Sequence, residues 1–257
     1  MPIAITRDVS TSLGACELSF VDRVSIDVER AAAQHTAYRR ALVALGCDVS
    51  ELGAENALPD AVFVEDIAIV LDELAIVTRP GAASRRAEVA SVANAVARHR
   101  SLKTIAAPGT MDGGDVLVIG RTIFVGESAR TNRDGIAQLA AFVRDAGYLV
   151  HPVPIHGCLH LKSAVTEVAD GVVLIEPRWV DRAAFAAFRQ IEADPDEPHA
   201  ANVLRIGDGA IYPASFPRTL RRLEDAGITP TLVDVSELQK AEGAVTCCSL
   251  VFSGMLT

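Results

Sequence analysis

Apolar positions in this chain fall into two rhythms that alternate along its length. Short apolar runs come in pairs separated by two or three turn residues: 61–70 with 73–78, 116–119 with 122–125, 163–168 with 172–175, and 203–206 with 210–212. A fifth run opens at Ala244 and contains Cys247 and Cys248, so it reads as a buried strand. Gly120-Arg121, Asp170-Gly171 and Gly207-Asp208-Gly209 carry hairpin chemistry between such runs. Between the pairs, apolar residues recur at three- and four-residue steps. Val28, Ala31, His35, Tyr38, Leu42 and Leu45 predict one helix, stopped by Gly46. Ile136, Leu139, Phe142 and Val143 predict another over 133–146, ended by Gly147, and shorter helices fit 84–99, 181–191 and 217–226.

The units repeat. One polar residue stands just ahead of or inside each run pair: Asp66, Asp112, His160, Asn202 and Cys247, spaced 42 to 48 residues apart. Five α/β units of similar length, each with a polar or reactive residue at one topological point, suggest a radial arrangement converging on an axis. Plain alternation of helices and hairpins in any α/β protein has the same spacing.

Composition narrows the class. With 257 residues, 50% hydrophobic and 22% charged, the chain can bury a sizeable core as one large or two small α/β domains. A net charge of −9 without a basic stretch argues against nucleic acid. The N-terminal residues lack a signal-peptide core, and no apolar run is long enough to span a membrane. Five cysteines (Cys16, Cys47, Cys158, Cys247, Cys248) without C-x-x-C spacing predict free thiols in a reducing cytoplasm.

Candidate chemistry starts at the vicinal cysteines, which cannot easily close on each other without strain. One is a candidate nucleophile, and a nucleophilic thiol needs a neighbouring base or cation. His160, in a loop entering a strand, is the best partner; a histidine satisfied by backbone is the plainer account. Pro154 and Gly157 oppose a helical zinc site built from His151, His156 and His160. Met111-Asp112-Gly113-Gly114-Asp115 supplies carboxylates that could orient the histidine, although a glycine-rich turn capped by aspartates has the same sequence. Neither phosphate-loop pattern is present. Asp60, Glu65 and Asp66 lie in an apolar run, where carboxylates need a cation to meet them. Arg85 and Arg130, at predicted helix beginnings, suit capture of a carboxylate. An arginine-like ligand fits both sets.

At this point LPDAVFVEDIAIV (58–70), TRPGAASRR (78–86), MDGGDVL (111–117), FVGESARTN (124–132), GCLHLKS (157–163) and EGAVTCCS (242–249) resemble the dimethylarginine dimethylaminohydrolases, within the guanidine-modifying pentein superfamily. The resemblance implies a five-bladed α/β propeller of pseudo-symmetric ββαβ units around a central active site, with residues 1–257 as one catalytic domain. It makes Cys247 the nucleophile, His160 the general acid and base, and Asp112 the carboxylate that orients it, where some members have Glu. Glu65 and Asp66 would bind the guanidinium, Asp60 and the main chain of Leu18 the α-ammonium, and Arg85 and Arg130 the α-carboxylate. Glu242 would line the pocket. Residues 177–200 match least and inherit nothing.

The implied reaction converts methylated arginine to citrulline through a covalent thiouronium, without metal or organic cofactor. Cys248, on the opposite strand face, would pack in the core. The expected partner is a small guanidine, with neither nucleic acid nor membrane; a homodimer is compatible with the chain. An arginine deiminase would run the same steps on arginine and release ammonia. An amidinotransferase would have to exclude water, and a non-catalytic binder would not need Cys247 and His160 together.

Overall fold

In the computed structural model, which describes residues 1–254, the strands form five separate three-stranded sheets. β1 (Pro2–Arg7) pairs in parallel with β2 (Asp48–Leu52). β3 (Ala68–Val70), β4 (Ala75–Val77) and β5 (Leu102–Thr104) make the next sheet, followed by β6 (Val116–Ile119), β7 (Thr122–Glu127) and β8 (Leu149–Pro154). β9 (Val165–Ala169), β10 (Val172–Ile175) and β11 (Arg189–Glu192) form the fourth, and β12 (Leu204–Ile206), β13 (Gly209–Pro213) and β14 (Thr231–Val233) the fifth. β15 (Leu250–Ser253) returns to pair antiparallel with β1.

Four sheets share one plan, an antiparallel hairpin whose second strand takes a parallel partner after a crossover; in the remaining sheet the antiparallel pair is β15 with β1, and β2 is the parallel partner. The parallel partner requires the crossover, because a tight turn can join only antiparallel strands. Residues of β3, β6, β9, β12 and β15 together line a cavity of about 240 Å³, so these five strands surround the axis. The architecture is a five-bladed α/β propeller, as the spacing of the polar residues suggested. The blade containing both chain ends is completed by β1 pairing with β15, with Ile5 opposite Leu250.

The long helices lie where the periodicity put them, at Val28–Ala44, Arg133–Val143 and Pro217–Asp225. Gly46, Gly147 and Gly227 follow them with φ of 86°, 79° and 85°, a conformation that costs glycine little. The helix expected at 84–99 is a 3₁₀ turn over Ala83–Glu88 followed by Val89–Val96, which buries Val92 and Val96 against Ile67.

Three expectations are corrected. Residues 181–191 are not a helix: a 3₁₀ turn, Arg182–Phe185, leads into β11. The end of the expected helix is instead strand, because Arg189–Glu192 pair in parallel with β10. The run 61–70 is a strand only from Ala68; Val64–Ile67 is a 3₁₀ turn that sends its two acids in different directions. The run opening at Ala244 is a turn through Cys248, with β15 starting at Leu250. Cys248 is therefore buried by the turn, not by strand alternation.

All five cysteines are free thiols. No helix among the described residues is long and apolar enough to cross a membrane.

Candidate active site

The turn carrying Cys247 is pinned from outside. Tyr38 donates its hydroxyl to the Val245 carbonyl at 2.8 Å and lies 2.6 Å from Ser249 Oγ. Thr246 donates its N–H to Asn202 Oδ1 at 3.1 Å and its hydroxyl to Glu65 Oε2 at 2.8 Å. The Glu65 N–H in turn donates to the Cys247 carbonyl at 3.2 Å. Cys248 packs in the core while Cys247 stays half-buried.

Cys247 faces a pocket lined also by Asp60, Asp66, Arg85, Arg130 and His160. His160 sits between two carboxylates, with Nε2 3.1 Å from Asp112 Oδ2 and Nδ1 3.7 Å from Asp66 Oδ1. Asp112 accepts the Gly81 N–H at 2.9 Å, and Asp66 accepts the Gly114 N–H at 3.0 Å. Position 114 has to be glycine: a Cβ there would lie 2.5 Å from His160 Nδ1 and 2.8 Å from Asp66 Oδ1. The double glycine of Met111–Asp115 thus lets the backbone approach both groups closely.

Electrostatics give each group a distinct state. Burial alone would lower His160, but Asp66, the Asp112 hydrogen bond and Asp115 raise it to about 9, so its imidazolium persists at neutral pH. Burial would raise Asp66, yet the charges of His160 and Arg85 hold it down to about 2. Burial pushes the Cys247 thiol up, and the Glu65 and Asp66 carboxylates push it further, to about 12. The pocket therefore holds a protonated imidazole and a neutral thiol.

The expected binding residues divide. Asp60 is in the pocket, and its carboxylate accepts the Glu17 N–H at 3.3 and 3.2 Å. Arg85 is 4% exposed and heavily engaged: Nη1 donates to Asp66, Nε and Nη2 to Glu88, and Nη2 to the Phe63 and Asp60 carbonyls. Those bonds leave it one free N–H, which excludes a bidentate clamp by Arg85 alone. Arg130 is freer: its Nη2 donates to Ser19 Oγ at 3.2 Å, and Nη1 lies 3.9 Å from Asp112.

Two acids have partners other than those expected. Glu65 pairs with Lys162 at 2.5 Å and, with Lys162 and Thr246, lines the axial cavity instead of the pocket. Glu242 does line the pocket, but its carboxylate accepts the N–H groups of Ser19, Phe20 and Val21. Leu18 packs its side chain on the core, and Glu17 is the member of that segment that lines the pocket.

Sequence reasoning did not single out Glu88, Lys162, Thr246 or Thr131. Glu88 holds Arg85 through two oxygens; Thr131 Oγ1 receives the Asp112 N–H at 3.2 Å and donates to Asp115. An acid three residues after Arg85 was the one available signal. Asp66, Asp112 and His160 each bring a ligand atom within 4.8 Å of the others, a set capable of holding a cation. Arg85 and Arg130 already oppose the two carboxylates, so a metal would compete with charges built into the site.

Comparison with known proteins agrees along nearly the whole chain. A family model described as N,N dimethylarginine dimethylhydrolase, eukaryotic, matches residues 16–181. An N(G),N(G)-dimethylarginine dimethylaminohydrolase of Streptomyces coelicolor is 43% identical over 249 residues, covering 96% of this chain and 95% of that one. A solved Pseudomonas aeruginosa structure of the same family, a Cys→Ser mutant complexed with citrulline, superposes with a TM-score of 0.93 at 35% identity. It covers 97% of this chain and 98% of that chain. A dimethylarginine dimethylaminohydrolase with a His→Gly change, as an adduct with S-methyl-L-thiocitrulline, superposes equally well, with a TM-score of 0.93 at 35% identity and the same coverage.

Proposed function

The chain belongs to the dimethylarginine dimethylaminohydrolase family, and from that premise we propose that it hydrolyses Nω-methylated arginine to citrulline and methylamine or dimethylamine. The observation that carries this reading is the pocket itself, in which a cysteine and an imidazolium share space with carboxylates suited to a guanidinium and an arginine suited to a carboxylate. Residues 1–257 act as one catalytic domain in this reading, and the five free thiols support a reducing, cytoplasmic setting.

The resting charges dictate the order of events. His160 already holds its proton, so it does not deprotonate the thiol. The same Asp66 charge that raises the thiol is the natural partner of the substrate guanidinium. Docking that cation beside Asp66 offsets the carboxylate repulsion, lowers the thiol value and releases its proton to solvent. The Cys247 thiolate then attacks the guanidinium carbon and forms a C–S bond.

His160 gives its proton to the substituted nitrogen as the C–N bond breaks, and dimethylamine departs. Neutral His160 next takes a proton from water, whose oxygen attacks the thiouronium carbon. The C–S bond breaks as the hydroxyl of the adduct gives up its proton to the departing sulfur, leaving citrulline and the Cys247 thiol. Asp112 keeps the imidazole in register, Asp60 receives the α-ammonium with the main chain of Leu18, and Arg130 takes the α-carboxylate with one N–H from Arg85. Glu65 acts on the thiol through its charge, from the axial side.

The test is a citrulline assay on arginine, monomethylarginine and asymmetric dimethylarginine, with amine analysis. Dimethylamine release by the wild type, abolished in Cys247→Ser and largely retained in Cys248→Ser, is the expected outcome. Ammonia from arginine with no turnover of either methylated substrate, or full activity in Cys247→Ser, would overturn the reading.

A further inference from the structure

Two cavities meet at Leu159. The pocket with Cys247 and His160 measures about 20 Å³, close to the space of a single water. Beside it lies a cleft of about 270 Å³. Leu159, Glu242 and Gly243 line both, so they form the partition between them. Leu159 is half-buried and is the one member of the three with a bulky side chain not held by hydrogen bonds.

The cleft suits an uncharged, apolar group. Phe20, Val21, Phe216 and Ala244 supply much of its wall. Asn202 also lines it, but its amide is occupied by the Lys162 carbonyl and by Thr246. Its one carboxylate, Glu242, is taken up by three backbone N–H groups. His199 also lines the cleft, and burial holds its imidazole below the ordinary value, so it stays neutral at pH 7; a charged ligand would thus find no counter-ion there, and a desolvated charge without one is costly.

Position also matters. Leu159 directly precedes His160, the group that in the reading above protonates the departing nitrogen. Leu159 also lines the same small pocket as His160 and Cys247, so a substituent on that nitrogen has Leu159 as part of its wall. We propose that the cleft is a leaving-group subsite for longer, uncharged Nω-alkyl substituents, and that Leu159 is the specificity-determining residue that limits the wild type to methyl groups. The inference rests on the functional reading given above. The chemistry is unchanged: the C–S bond to Cys247 forms, the C–N bond breaks, and propylamine leaves with the His160 proton. Water then replaces sulfur and yields citrulline.

The experiment compares kcat/KM for Nω-propylarginine and asymmetric dimethylarginine in the wild type, Leu159→Ala and Leu159→Ala with Gln239→Trp. Gln239 lines the cleft but not the pocket, so the tryptophan fills the cleft from the side away from Cys247. A methylene-sized change in a pocket alters selectivity by about 10- to 200-fold. The propyl-to-dimethyl ratio is expected to rise at least about tenfold in Leu159→Ala and to fall back in the double variant. An unchanged ratio, or a rise that the tryptophan does not reverse, overturns the proposal. If Leu159→Ala does not fold, the same ratio is read in the smaller change Leu159→Val, where a rise of a few-fold is expected and none overturns it. Because a ratio cancels general losses of activity, failure of the subsite is distinct from failure of the functional reading, which shows as no dimethylarginine turnover by the wild type.

Discussion

His160 owes its charge to its neighbours. An imidazole at its ordinary value of 6.5 would be largely neutral at pH 7.5, yet two carboxylates within 3.7 Å keep it protonated up to about 9. Turnover is therefore expected to fall as pH rises through about 9, where the acid that serves the leaving amine is lost. Asp112→Asn removes a charge and weakens the hydrogen bond to Nε2, so the falling limb should move to lower pH; a limb that stays put would exclude Asp112 as the orienting group. The stability contribution has the same sign. Since folding raises the value, it is whole below 6.5 and disappears as pH climbs through about 9, a loss readable by denaturant titration at several pH values. The residue types that the fold brings together were legible at this scale, because the motifs pointed to Cys247, His160 and Asp112. Their protonation states were not, since a pKa depends on neighbours brought from distant parts of the chain.

Among the elements, the segment around Ser19–Val21 is the informative one. It has no regular structure, and Glu242 holds it by three backbone N–H groups from 221 to 223 residues away. Glu242 itself sits at φ 58°, an uncommon conformation for a residue with a Cβ. Through Glu242, which lines the pocket, this segment is tied to the substrate site. Hydrogen bonds to a charged group contribute about 1.5–3 kcal/mol each when buried, and less at a half-exposed site. Glu242→Ala should accelerate amide exchange at Ser19, Phe20 and Val21 by at least about tenfold and raise KM more than it lowers kcat. Unaltered exchange at those three amides would show that the carboxylate does not restrain the segment. Sequence patterning saw Glu242 as a pocket residue; that its oxygens face backbone depends on a loop geometry no periodicity encodes. The misread stretches at 61–67, 181–191 and 244–248 share a cause. In each, apolar or helix-like spacing was overridden by connection length or by polar partners elsewhere in the ring.

The whole molecule is a ring closed by its own ends. β1 and β15 come from opposite termini, and Ile5, fully buried, pairs with Leu250 across the seam. Ile5→Ala is expected to cost about 2–5 kcal/mol, against about 0.5 kcal/mol or less for Leu149→Ala, whose side chain is 64% exposed. Equal shifts in the urea midpoint for the two variants would contradict a closing role for the seam. By itself the sequence determined the five-unit repeat, the helices with their glycine stops, the reactive residue types and the arginine-like character of the ligand. Each of these depends on local periodicity or on side-chain chemistry. Tertiary structure alone decided that Glu65 faces the axial cavity while Asp66 faces the thiol, that Arg85 is anchored by Glu88, and that Leu159 stands between a small pocket and a larger cleft. Those facts arise where five blades meet, between residues far apart in the chain, and long-range proximity is set by packing instead of by local pattern.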